Sequence, residues 1–132
     1  MGISKAIAKW AGGLKDGKGS MTPAHAAEVP FSFGSRFEGQ PASNPEELIG
    51  AALSGCFSMA LSAGLEKAGF KATSIRTSAD VHLEKGAEGF GITSIDLTTD
   101  ASVPGVDAAQ FQQIAEATKK GCPVSKALAA TP

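Results

Sequence analysis

A chain of 132 residues has room for one domain built around one hydrophobic core. With 12 Lys and Arg against 13 Asp and Glu, the net charge is −1, which leaves no basic footprint for nucleic acid and no polybasic patch for a membrane surface. The opening residues MGISKAIAKW lack the apolar run of a signal peptide, and a myristoylation-like start fails at Ala6, where Ser or Thr is required. The expectation is a single cytoplasmic domain over residues 1–132. Reducing conditions there disfavour a permanent disulfide and permit a catalytic one.

The N-terminal third reads as strands and turns. Lys5 to Ala11 and Leu14 to Met21 flank Gly12-Gly13, and Pro23 to Glu28 reads as loop. Phe31, Phe33, Ser35 and Phe37 alternate with Ser32, Gly34, Arg36 and Glu38, which is a strand period and puts Arg36 opposite the phenylalanines. Asn44-Pro45-Glu46-Glu47 is a helix start. Asn44 is an N-cap, Pro45 suits the first helical position, and Glu47 stands where a capping-box acid would. This helix is predicted to run to about Ala68, with Gly69 as its stop.

Ile49, Leu53, Phe57, Leu61 and Leu65 form one ridge of that helix, and Leu48, Ala52, Cys56 and Ala60 form the next. The stretch Leu48 to Leu65 is formally uncharged and approaches the length of a membrane span. Its glycines, alanines and serines make it weakly hydrophobic, so a buried central helix is expected, covered by a sheet and a second helix or by another chain. Ile75 to Leu83 alternates cleanly as a strand. The strand that follows switches its apolar face between Ile92 and Ile95, which places a β-bulge near Thr93 and Ser94. A second helix starts at Asp107 and ends at Gly121, and Cys122 caps a short helix that begins with Pro123. The order is that of an α+β domain with antiparallel sheet.

The two cysteines are Cys56 and Cys122. A lone cysteine on an apolar helix is usually structural, and burial raises its pKa. Cys122 differs because helix N-termini stabilise thiolate. The wide separation excludes a CxxC motif and a paired-spacing zinc site, and His25 and His82 are isolated, so no metal is expected. Glu46 most simply serves the helix start and Arg36 a solvated sheet face.

Taken together, these residues resemble a family. Arg36-Phe37-Glu38-Gly39, Asn44 to Ala52, Gly55-Cys56-Phe57-Ser58-Met59-Ala60-Leu61, Val103-Pro104-Gly105-Val106 and Gly121-Cys122-Pro123-Val124-Ser125 are similar in collinear order to the OsmC/Ohr family of thiol-dependent hydroperoxide peroxidases, and to its OsmC branch. The resemblance implies an antiparallel sheet wrapped on a long central helix and a second helix, in an intertwined homodimer. It also implies a further strand after the last helix, which this sequence, ending at Pro132, does not include.

The implied roles are specific. Cys56 is the peroxidatic nucleophile and Cys122 the resolving thiol, with a Cys56–Cys122 disulfide recycled by a dithiol such as a lipoyl group. Arg36 holds the thiolate and polarises the O–O bond, and Glu46 orients Arg36. Leu53, Phe57 and Met59 are candidates for a pocket that takes organic hydroperoxides, in defence against oxidative or osmotic stress. No cofactor, nucleic acid or membrane is implied. A non-catalytic redox-sensing or binding module on the same fold is the alternative. Glu46 and Cys56 lie ten residues apart on one predicted helix, about 15 Å along its axis and roughly 80° apart in direction. Either the helix breaks near Gly50 or Gly55, or Glu46 serves the Cys56 of a partner chain.

Overall fold

A computed structural model describes residues 2–132. The chain divides into two compact units, one up to Glu47 and one over Leu48–Pro132.

The N-terminal unit holds an antiparallel sheet in the order β1-β2-β3, with β1 at Ala6–Ala11, β2 at Lys18–Pro23 and β3 at Val29–Phe31. The β1–β2 turn uses Gly12 at φ 95, a left-handed conformation that suits glycine. Gly19 meets a different demand. A Cβ there would lie 2.6 Å from both the Phe31 and the Trp10 ring, so only glycine lets the two aromatics close over the strand.

After β3 the structure departs from the expected strand. Phe33–Phe37 is a short helix, α1, so Arg36 lies on a helix and not on a sheet face. Its start explains why. Ser32 accepts from the Ser35 backbone N–H at 3.1 Å, and the Ser35 hydroxyl accepts from the Ser32 N–H at 2.8 Å, a reciprocal capping box. The Ser35 hydroxyl also donates to the Ser43 carbonyl at 2.7 Å, tying α1 to the residues before the next helix.

That helix, α2, spans Pro45–Lys67 without a break. The Asn44 side chain accepts from the Glu47 N–H at 2.8 Å, as an N-cap should. The Glu47 carboxylate takes the Ser43 hydroxyl at 2.6 Å, so the reciprocal half of the expected capping box is replaced by a closer neighbour. The helix ends with Gly69 at φ 95 and the Phe70 N–H on the Leu65 carbonyl.

In the second unit α2 lies against a long hairpin, β4 at Ser74–Gly86 and β5 at Gly89–Ser102, and against α3 at Ala108–Gly121. The β4–β5 register shifts between His82 and Leu83, whose partners are Ser94 and Ile92, so Thr93 is the extra residue of a bulge. Phe57, Leu61 and Leu65 form the core, packed against Ile75 and Leu97 of the hairpin and Phe111, Ile114 and Ala115 of α3. Gly50 brings the helix close to the sheet: a Cβ there would stand 3.2 Å from Val81 Cγ2. Ser58 adds a polar tie, donating to the Thr77 hydroxyl at 2.7 Å, which meets Thr99 across the hairpin at 3.1 Å.

The opposite face of α2 is open. Ala51, Ala52, Gly55, Met59 and Ala63 are exposed, Met59 at 80%. By length and composition α2 could cross a membrane, yet its inner ridge forms the core of this unit.

Candidate active site

Each unit brings together one pair of the expected site residues. In the N-terminal unit Arg36 and Glu46 meet. Glu46 Oε1 accepts from Arg36 Nη2 at 2.6 Å and from Nε at 2.9 Å, and Oε2 lies 3.3 Å from Nε. The Glu46 side chain is only 8% exposed, and that of Arg36 36%. A carboxylate so buried needs a partner of this kind, since removing the guanidinium would leave a charge without water or counter-ion. The planar fork of Arg matches the carboxylate geometry, and the ring of Phe37 lies 5.2 Å from the guanidinium carbon. Arg36 Nη1 donates no hydrogen bond among the described residues.

In the second unit the two thiols meet. Cys122 Sγ donates to Cys56 Sγ at 2.7 Å. A formed disulfide measures about 2.05 Å, so bond formation needs only a small approach of the sulfurs. Cys56 is partly buried and Cys122 is fully buried. Cys56 is carried by α2, next to the core residue Phe57. Cys122 ends α3 with its N–H on the Thr118 carbonyl at 2.9 Å, and then caps α4 at Pro123–Ala127.

The two thiols differ in how readily each gives up its proton. The hydrogen bond to Cys122 raises the pKa of Cys56, burial raises it further, and the Val124 N–H pulls weakly the other way. Burial also pushes Cys122 up, but its hydrogen bond with Cys56, together with those from the backbone and hydroxyl of Ser125 and from the Val124 backbone, brings it below its ordinary value. Pro123 at the first helical position has no N–H, so the next two residues present theirs to the sulfur. Ser125 is the site residue that sequence reasoning does not single out, and the Cys-Pro-Val-Ser run is its signal.

Of the expected pocket residues, Leu53 and Phe57 are i, i+4 neighbours on the inner ridge of α2, while Met59 is on another face. Leu53 and Phe57 are buried, Phe57 within the core, and Met59 lies on the exposed face of α2. Among the described residues no group of three His, Cys, Asp or Glu side chains could hold a metal ion. His82 pairs with Asp96 at 2.9 Å on the exposed hairpin.

The two thiols should titrate as a pair. Rapid alkylation of the reduced protein across pH is expected to resolve two steps, one below and one above the ordinary thiol value. In Cys122→Ser the step below should vanish and the remaining Cys56 step should move down toward the ordinary value, because its main raising partner is gone. A single unshifted step in both proteins would show that the thiols do not interact.

Residues 37–132 match the family model for OsmC-like protein. The chain is 50% identical over 128 residues to Peroxiredoxin OsmC of Escherichia coli (strain K12), covering 96% of this chain and 90% of that protein. An organic hydroperoxide resistance protein from Elizabethkingia anophelis superposes with TM-score 0.71 at 25% identity, covering 96% of this chain and 89% of the other. An OsmC-like protein of unknown function from Vibrio cholerae superposes with TM-score 0.76 at 17% identity, covering 96% and 94%. With an α+β fold of antiparallel sheets on a long helix, and a family model matched over most of its length, this chain belongs to the OsmC family.

Proposed function

We propose that the protein is a cysteine-based peroxidase that reduces organic hydroperoxides. The observation that carries this reading is the 2.7 Å contact between Cys56 and Cys122, two thiols far apart in sequence and the only two in the chain. Chance burial of cysteines does not require them to touch. The names of the relatives, a peroxiredoxin and a hydroperoxide resistance protein, point the same way.

The chemistry follows from two thiols and one guanidinium. The Cys56 thiolate attacks one peroxide oxygen, the O–O bond breaks, and the departing alkoxide takes a proton to leave as an alcohol. Cys56 is then a sulfenic acid. Cys122 attacks that sulfur, a disulfide forms, and water leaves. A dithiol such as a lipoyl group reduces the disulfide through a mixed disulfide and is itself oxidised. Within the pair the charge favours Cys122. Cys56 therefore needs a cation to become the nucleophile, and in this reading Arg36 supplies it.

Glu46 and Cys56 sit on one unbroken helix ten residues apart, hence about 15 Å apart along its axis. This favours a site shared between two chains, in which the Arg36–Glu46 pair of one protomer serves Cys56 of its partner. The exposed apolar face of α2 supplies a surface for such a homodimer. A cytoplasmic peroxidase in stress defence completes the reading.

Peroxide consumption with a dithiol donor tests the function. Cys56→Ser should fold and lose on the order of a thousandfold or more in turnover, because a hydroxyl at that position is a far weaker nucleophile than a thiolate. Retained turnover would end the assignment. Oxidation that stops after one equivalent in the intact protein would point to a sensor.

The shared site makes a separate prediction. Glu46→Ala and Cys56→Ser variants, each inactive alone, should regain part of the activity when unfolded and refolded together, since one site of a mixed dimer holds both intact residues. No regain in a dimer shown to mix, or a monomer by sedimentation, would contradict the shared site.

A further inference from the structure

Two thiols in contact can do more than exchange electrons. Cys56 and Cys122 are both unbridged, with their sulfurs 2.7 Å apart. Each is held by its own element. Cys56 stands one residue before the core residue Phe57 on α2. Cys122 is anchored at the end of α3 by its N–H on the Thr118 carbonyl at 2.9 Å, and its own carbonyl accepts the Lys126 N–H at 3.0 Å. Two donors fixed in this way can bind one atom with little further loss of freedom. Cys56 is partly buried and Cys122 fully buried, so a ligand atom reaches the pair from the Cys56 side.

Donor type, donor count and spacing narrow what that atom is. Thiolate sulfur selects soft elements. Among the described residues no group of three His, Cys, Asp or Glu side chains could hold an ion, so the pair offers two donors where a closed zinc site needs four. Spacing then separates the elements that two thiolates satisfy. With bonds of about 2.3 Å, as in zinc–thiolate sites, a linear S–M–S unit sets its sulfurs about 4.6 Å apart. From 2.7 Å that is an opening of about 1.9 Å between two helices locked together through a close-packed core. A pyramidal centre with bonds near a right angle sets the sulfurs about 3.3 Å apart. That asks for an opening of about 0.6 Å, which side-chain rotation supplies.

We propose that the pair is a chelating site for trivalent arsenic, in which Cys56 and Cys122 supply two of the three bonds of a pyramidal centre. The third bond, to an organic group or a hydroxyl, lies on the open Cys56 side. With phenylarsonous acid, two As–O bonds break and two As–S bonds form. Each departing hydroxide takes the proton of one thiol, two waters leave, and arsenic stays trivalent, so no oxidant or reductant is consumed. Binding itself does not depend on the peroxidase reading. Where that reading holds, the chelate removes the nucleophile, and a trivalent arsenical silences the enzyme as well as occupying it.

Phenylarsine oxide, which is phenylarsonous acid in water, is the probe. Added to the reduced protein, it should bind at one per chain by intact-protein mass spectrometry and protect both thiols from alkylation. X-ray absorption at the arsenic edge should count two sulfurs per arsenic. Cys122→Ser keeps the more accessible thiol but should bind about a hundredfold more weakly, because the second, intramolecular bond is lost. One sulfur per arsenic, two arsenicals per chain, or undiminished affinity in folded Cys122→Ser would overturn the proposal. Reduced protein loaded with the probe and freed of excess should also fail to consume one equivalent of cumene hydroperoxide, and unchanged consumption would overturn it too. Protein that binds arsenic through two sulfurs, yet consumes no peroxide even without the probe, would instead remove the peroxidase reading and leave the chelate standing.

Discussion

The ridge of Phe57, Leu61 and Leu65 is the constraint on which the second unit depends. Leu61 and Leu65 are completely buried, and all three are held between the β4–β5 hairpin and α3. Once that ridge faces inward, the rotation of α2 is fixed. Cys56, one position before Phe57, is then fixed with it. Gly64 lets α3 approach, since a Cβ there would stand 3.1 Å from Ile114 and 3.6 Å from Thr118. Thr118 in turn accepts the Cys122 N–H. The thiol contact is thus a consequence of core packing on both sides, and neither cysteine has to be strained into place.

The two polar pairs are stabilised in different ways. Glu46 is buried and bound by two nitrogens of one guanidinium, so the pair is rigid and costly to break by removing one partner. The thiols lie in contact, and hydrogen bonds to Cys122 from Ser125 and Val124 favour its thiolate over that of Cys56. The rigid pair is suited to holding a charge in place, and the thiol pair to moving electrons between two sulfurs.

Much of the architecture was legible in the sequence because its signals are local. The Asn44 cap, the α2 ridge, the bulge at Thr93 and the Cys122–Pro123 helix start all follow from spacing or from residue type, and all stand in the structure. The segment around Arg36 misled for a physical reason. Phe33 and Phe37 are four apart, a spacing that puts them on one face of a strand and of a helix alike. The Ser32–Ser35 capping box decides the matter, and it was hidden inside an apparent alternation. The Glu47 carboxylate, at the capping-box position by spacing, meets the Ser43 hydroxyl instead. The meeting of Cys56 and Cys122 had no local signal at all. It depends on how α3 packs on α2, and only the resemblance to a family pointed to it.

The central claim is that Cys56 and Cys122 of one chain form a working redox pair. Peptide mapping by mass spectrometry under non-reducing conditions, after one equivalent of an organic hydroperoxide, tests it most directly. The account predicts a single linkage between the Cys56 and Cys122 peptides, in protein that migrates as a single chain once denatured. A disulfide between chains, or oxidation of Cys56 with no linkage to Cys122, would contradict it.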